Sequence, residues 1–484
     1  MATAAPETIT ITLPDGRALE LPRGATAHQV AEAIGPRLAR DAVAAKVDGE
    51  VVELSRPLEG NARIEILTKK SPEALDVLRH SAAHVLATAV RRVRPDAKIG
   101  FGPSIEDGFY YDFDVERPFT PEELETIEGE MAKVSAADDP FERRVVSVEE
   151  ARELFADDPL KLERLEEFGG DEVITVFRNG PFLDLCRGPH VPSTRWIENV
   201  KLLSTAGAYW RGDVKRQMLQ RIYGTAWFTP KDLDAYLTRL EEARKRDHRK
   251  LGKELDLFHF HPFAPGAAFW TDRGTTIYTL LVDWMRDVLE RNGYQQVKTP
   301  LLFNKGLWER SGHWGKYREN MFLVVDKESG EQDYSLKPMN CPSHYLLYGM
   351  KAHSYRELPL RYATQDVLHR NEITGALSGL TRVRQFQQDD AHIFLTDEQI
   401  PDEVRRLVDL VDHFYGTLGL GYTRKFATRP EERIGTDEMW DRAEAGLRDA
   451  LEGLGLEYEL KEGDGAFYGP KIDFDVVDAI GRSW

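Results

Sequence analysis

The stretch LHRNEITGALSGLTRVRQFQQDDAHIF, residues 368–394, places two β-like segments around a loop that contains glycine and serine. Arg370, Arg382 and Arg384 on such a strand–loop–strand can make bidentate contacts to phosphate oxygens, because the guanidinium fork matches their spacing. Glu372 can accept from an amino group, and Phe386 can stack on a flat base. The plainer alternative is a hairpin with a solvated charged face. Upstream, MNCPSH at 339–344 sets Cys341 close to His344. Farther back, RNGYQQVKTPLL at 291–302 reads as a helix running into a strand that ends at Pro300.

The chain has only two cysteines. The other, Cys186, sits in DLCRGPHVPS with His190 four residues on. The two lie too far apart for the ligand spacing of one zinc finger. In SPEALDVLRHSAAHVLATAVRRV, Ser71 is a good N-cap, Pro72 suits the first helical position, and Glu73 and Asp76 favour the positive helix end. On that helix His80 and His84 are four residues apart and share a face. With Cys186 and His190 they make H-x3-H followed by C-x3-H, a set that can hold a metal or build a polar catalytic pocket.

At 484 residues the chain is too long for one ordinary core and points to three or four domains. Apolar residues make up 41% and charged residues 30%, the balance of a soluble globular protein. No apolar run reaches the length of a bilayer span, and the N-terminus lacks a secretory pattern. Two cysteines cannot build a disulfide framework, so a reducing cytoplasm is the expected setting. A net charge of −18 argues against nucleic-acid binding by bulk charge. Local basic patches stay open, and EARKRDHRKLGK at 242–253 is either one of these or a solvated helix face.

In residues 1–68 Ile9, Ile11 and Leu13 alternate, a turn falls at 14–16, a helix follows Thr26, and a second hairpin turns at Asp48-Gly49. Two hairpins flanking a helix, closed by RIEIL at 63–67, predict a β-grasp fold. Mixed α/β sequence continues to 228. FTPKDLDAYLTRLEEARKRDHRKL then predicts a helix capped by Thr229, opened by Pro230, with Leu233, Tyr236, Leu237 and Leu240 on one face. The division is 1–68, 69–228, a linker helix at 229–262, and 263–484.

Arg-x-Glu, a loop and Arg-x3-Phe resemble motif 2 of the class II aminoacyl-tRNA synthetases, and the segment ending at Pro300 is similar to motif 1, the dimer interface of that class. KPMNCPSH, RVRQFQQDDAHIF and FYGPKIDF, with CRGPH, TAGAYWRGD and LQRIYGTAWF in the front half, resemble the threonyl-tRNA synthetase family along the whole chain. The resemblance implies an α+β multidomain fold: a TGS-type β-grasp module, an α/β editing domain, and a class II antiparallel sheet with flanking helices. It also implies ATP-dependent attachment of threonine to its tRNA, with magnesium on the phosphates, a homodimer and no membrane.

By the same resemblance Arg370 holds the ATP α-phosphate, Glu372 the adenine amino group, Arg382 the γ-phosphate and Phe386 the adenine face. Cys341 and His392 bind zinc, with His344 a packing or hydrogen-bonding residue. Asp390 receives the threonine ammonium, and Met339, Gln388 and Tyr468 shape the pocket. Threonine and valine are near isosteres that an apolar pocket separates poorly, whereas zinc accepts the hydroxyl and rejects the methyl. Serine lacks only a methyl, a deficit of roughly 1–3 kcal/mol, and needs a second, hydrolytic site. His80, His84, Cys186 and His190 are assigned to it.

The family's motif 3, its third zinc ligand and its anticodon-binding domain are expected beyond Trp484, so the catalytic sheet is expected to be incomplete. Ser343 stands where the family usually has glycine. Two rival readings are an editing or tRNA-binding module with an inert synthetase half, and a class II synthetase of another specificity without metal at Cys341 and His392.

Overall fold

A computed structural model of the chain describes residues 8–166, 173–213, 215–478 and 480–484. They form two compact α+β units, residues 1–238 and 239–484. Among the described residues no helix is long and apolar enough to cross a membrane.

The first unit opens with an antiparallel hairpin, Thr8–Thr12 with Ala18–Pro22, whose alternation buries Ile9 and Ile11. Thr26 and Gln29 form a reciprocal capping box that starts the helix Ala27–Ile34. Ala42–Val47 and Glu50–Val52 turn at Asp48-Gly49, where φ is +48° and +94°, as a two-residue I′-type hairpin requires. Ala62–Thr68 runs parallel to the first strand and antiparallel to Ala42–Val47, completing a five-stranded β-grasp sheet.

Helix Pro72–Val93 is the axis of the next layer. Its alanine-rich sequence lets neighbours approach on several sides, and Leu78, Ala82, Ala83, Val85, Leu86, Ala89 and Val90 are all fully buried. Val43, Ala44 and Leu67 of the β-grasp module share a core with this helix, with helix Pro121–Ala136 and with the sheet that includes Gly108–Asp114 and Met218–Trp227. Ser71 precedes the helix but does not cap it with its side chain: its hydroxyl accepts from the Thr68 N–H at 3.1 Å. Asp76 lies past the first turn, where Glu73 is the acidic residue. A second sheet, Phe141–Val146, Ile174–Asn179 and Phe182–Leu185, brings the Cys186 loop against this helix.

The segment read as a linker helix at 229–262 comprises helix Pro230–Lys245, helix His248–Glu254 and strand Phe258–Phe260. The break comes at Asp247, whose carboxylate caps the second helix by accepting from the Arg249 N–H at 2.8 Å.

In the second unit helix Asp272–Arg291 ends at the first residue of the 291–302 segment, which was expected to run from helix into strand. Gly293 at φ +81° turns the chain, and the Tyr294 N–H bonds back to Leu289 O at 3.0 Å. Only Gln295–Gln296 pairs as a strand before Pro300. The expected antiparallel sheet takes the form of short ladders: Leu360–Thr364 with Asp390–Phe394, Val367–His369 with Gln385–Gln387, and Gly421–Ala427 with Lys471–Val477. The second ladder is the predicted strand–loop–strand, with Leu368 opposite Phe386.

Candidate functional site

Helical spacing places His80 and His84 on one face, and a ring of donors closes around them. The donor atoms of His80, His84, Cys186 and His190 all lie within 4.8 Å of one another, a group that could hold a metal ion. Their hydrogen bonds settle the tautomers. The Ser81 hydroxyl donates to Val77 O at 2.8 Å, so at its 3.0 Å contact His190 Nδ1 is the donor. His80 Nδ1 donates to Pro189 O at 3.2 Å. Both Nε2 lone pairs then converge on Cys186 Sγ, at 3.2 and 3.4 Å. One thiol proton can serve only one of them, which leaves a nitrogen lone pair to take a proton or bind a metal. Three imidazoles and a sulfur are the donor chemistry of a tetrahedral zinc site.

Burial lowers His80 and His190 and takes His84 down to about 3, so the rings are neutral near neutrality. Burial and then the Asp184 charge push the Cys186 thiol up to about 12. Three neighbours escaped the sequence reading. Burial alone would raise Asp184, but Lys161, His84 and Tyr111 together hold its carboxyl below the ordinary range. Asp184 pairs with Lys161, accepts from the Tyr111 hydroxyl at 2.5 Å and faces His84 Nε2 at 3.5 Å. Asp184 was legible, since it stands two residues before Cys186 at the end of a strand. Lys161 and Tyr111 lie far off in the chain without a motif. A cavity of about 240 Å³ opens on these groups and is lined also by Phe101, Arg164 and Trp210.

In the second unit the guanidinium of Arg370 lies over the Phe386 ring, 4.9 Å from its centroid, and its Nε donates to Pro338 O at 3.4 Å. Glu372 and Arg382 pair at 3.3 Å, with Arg382 largely exposed. Arg384 does not face outward as a third phosphate contact. Its Nε donates to Glu372 O at 2.8 Å, which closes the loop on itself.

Asp390 accepts from the Asn340 amide at 3.0 Å. Cys341 is close by: burial, then the Asp390 charge, pushes its thiol up to about 11. The Tyr468 hydroxyl is raised by burial and then by Cys341. His392 Nδ1 meets His344 Nδ1 at 2.8 Å, so one ring donates and the other accepts. Met339 Sδ lies 3.2 Å from His313 Nε2, while Gln388 is exposed in the link between two strands. Asn340 and His313 were the residues missed; Asn340 sits inside the quoted MNCPSH. Among the described residues the only group of three or more clustered metal donors is the one around Cys186. Cys341 and His392 supply two donors.

Residues 9–68 match the TGS domain family. Residues 174–223 match the threonyl and alanyl tRNA synthetase second additional domain, and 322–484 match the class II tRNA synthetase core domain (G, H, P, S and T). The threonine–tRNA ligase of Myxococcus xanthus is 59% identical over 481 residues, covering 98% of this chain and 75% of that protein. That of Anaeromyxobacter dehalogenans is 56% identical over 488 residues, with coverages of 98% and 75%. A solved RNA-binding domain of threonyl-tRNA synthetase from Cryptosporidium parvum is 47% identical with a TM-score of 0.47, covering 49% of this chain and 59% of that one.

Proposed function

The chain belongs to the threonine–tRNA ligases, and we propose that its two candidate sites divide one task, threonine attachment in the second unit and hydrolysis of mischarged seryl-tRNA in the first. As an aminoacyl-tRNA ligase it uses ATP, an amino acid and tRNA. The threonine carboxylate attacks the α-phosphorus of ATP in line, giving threonyl-adenylate and pyrophosphate. A ribose hydroxyl of the terminal adenosine then takes the threonyl group and AMP leaves.

Arg370 meets the α-phosphate, where charge develops, and Arg382 the γ-phosphate, and magnesium would help neutralise the charge of the phosphates. Phe386 stacks on adenine, and Glu372 accepts from its amino group once Arg382 turns to the phosphate. Asp390 receives the ammonium of threonine. The observation that carries this reading is the Asn340–Asp390 bond beside Cys341, which holds a carboxylate near a thiol that would be a metal ligand. Cys341 and His392 would hold zinc, the His392 ring being oriented by its bond to His344. Bound zinc would supply a Lewis-acid contact for the threonine amino and hydroxyl groups. Met339, Gln388 and Tyr468 border the same pocket.

In the first unit the free imidazole lone pair of the His80–Cys186–His190 group takes a proton from water as the water oxygen attacks the seryl ester carbon. The ester C–O bond breaks and the proton passes to the leaving ribose oxygen, while Asp184 with Lys161 and Tyr111 fixes His84. The protein works in the cytoplasm as a homodimer through the apolar face near Pro300.

Two assays on one sample test the division. Cys341→Ser should abolish threonine-dependent ATP–pyrophosphate exchange and leave deacylation of preformed seryl-tRNA unchanged. His80→Ala with His84→Ala should do the reverse. Full exchange in the first variant, or full deacylation in the second, refutes the corresponding assignment.

A further inference from the structure

We propose that Glu53, a residue of the β-grasp module, is a positioning residue for the hydrolytic site, holding the Cys186–His190 loop from behind. This rests on the reading of that site as hydrolytic.

The strand Glu50–Val52 delivers Glu53 into the first unit's interior, where it is 4% exposed. Its Oε1 accepts from Arg56 Nε at 3.0 Å and faces Arg143 Nε of strand Phe141–Val146 at 3.4 Å. Its Oε2 is buried without a hydrogen-bond partner. A buried carboxylate is costly and stays only where its surroundings compensate it. That second oxygen lies against the loop: a methyl group added at Gly188 would stand 3.6 Å from it and 2.7 Å from the Phe177 ring. Gly188 itself has φ +74°, and its N–H donates to Cys186 Sγ at 3.2 Å. Glu53 therefore stands behind a backbone donor that addresses the thiol.

The partner arginine reaches the same site from another side. Two residues before Arg143, on the same face of its strand, Phe141 stacks on the His190 ring at 4.7 Å with an interplanar angle of 5°. Glu53, Arg143 and His190 line one cavity of about 810 Å³ between the module and the 140–145 strand. His190 is thus a partition, with its Nε2 toward the thiol and its edge toward this cavity. Arg143 Nε in the same cavity wall is likewise buried without a hydrogen-bond partner, so the charge facing Glu53 is compensated by proximity rather than by a hydrogen bond. The module is fixed in place, because Val43, Ala44 and Leu67 share a core with helix Pro72–Val93, which carries His80 and His84.

The test is single-turnover and steady-state deacylation of preformed seryl-tRNA by the 484-residue chain, its Glu53→Ala and Glu53→Gln variants, and His80→Ala/His84→Ala. Glu53→Ala should lower kcat about tenfold with KM within about twofold, as a small misplacement of a reacting group does. Glu53→Gln keeps an acceptor for Arg56 and should recover most of the rate. Melting temperatures separate positioning from folding. An unchanged kcat in Glu53→Ala overturns the proposal, as does a loss that the glutamine does not recover and that tracks a lower melting temperature. A parent chain without hydrolysis, or hydrolysis that survives the double histidine change, would count against the reading of the site rather than against Glu53.

Discussion

Lys337 is fully buried, and its ammonium donates to Asp366 at 2.7 Å and to the Thr299 hydroxyl at 2.8 Å. Thr299 also donates to Asp366 and lies 3.1 Å from the Ser343 hydroxyl. Three segments of the proposed mechanism therefore meet at one charge: the approach to Pro300, the Cys341 turn and the start of the hairpin proposed to read phosphate. Removing one partner of a buried pair leaves the other uncompensated, at a cost of about 3 kcal/mol. Lys337→Met should lower stability by that order in urea unfolding followed by tryptophan fluorescence, and Lys337→Met with Asp366→Asn should recover most of it. If the double variant is no more stable than the single, the pair is not coupled. Ser343 was legible as a substitution for glycine but not as a bond: its hydroxyl already donates to Asn340 O at 2.6 Å, and its φ/ψ is helical, so serine fits without strain. The four residues clustered around Cys186 were legible because helical spacing and a short loop place them locally. Lys161 and Tyr111 were not, because only the fold brings them to Asp184.

The loop between Val367–His369 and Gln385–Gln387 depends on an element outside it. His248 opens the short helix after Asp247, and its Nε2 accepts from the Leu380 N–H at 2.9 Å. Burial lowers the His248 pKa, which suits this acceptor role. The basic run at 242–253 accordingly splits: Lys245, Arg246 and Arg249 pair with neighbouring acids, and His248 serves the loop. Periodicity showed a helix there but could not show that Asp247 would interrupt it or where the histidine would point. Gly379 stands beside this contact with φ +49°, and an added methyl group would fall 2.1 Å from His248 Nε2. Gly379→Ala should displace the histidine and strain the turn by roughly 1–3 kcal/mol. With the arginines of the loop proposed to contact the nucleotide, the KM for ATP in pyrophosphate exchange should rise about tenfold, with the threonine KM little changed. Equal effects on both would place the damage in the fold rather than in the loop.

At the scale of the molecule, the β-grasp module was readable because its hairpin turns and alternation are local. The class II sheet was recognisable only by motif, since its ladders are short and join segments distant in sequence. The apolar residues of helix Asp272–Arg291 are split between two tasks. Met285, Val288 and Leu289 face the core, while Ile277, Leu280 and Leu281 are 48%, 64% and 51% exposed. Leu301 and Leu302, next to Pro300, are exposed as well. Such an apolar face on a charged protein needs a cover, and a second copy meeting it about a twofold axis would supply one. Leu280→Asp with Leu281→Lys puts charges into that contact without touching the core. The variant should sediment as a monomer where the parent sediments as a dimer, and it should lose threonine activation with the interface. Seryl-tRNA hydrolysis should persist, because its residues all belong to the first unit. A variant that still sediments as a dimer would place the interface elsewhere, and a parent that is already monomeric would leave these leucines to another partner.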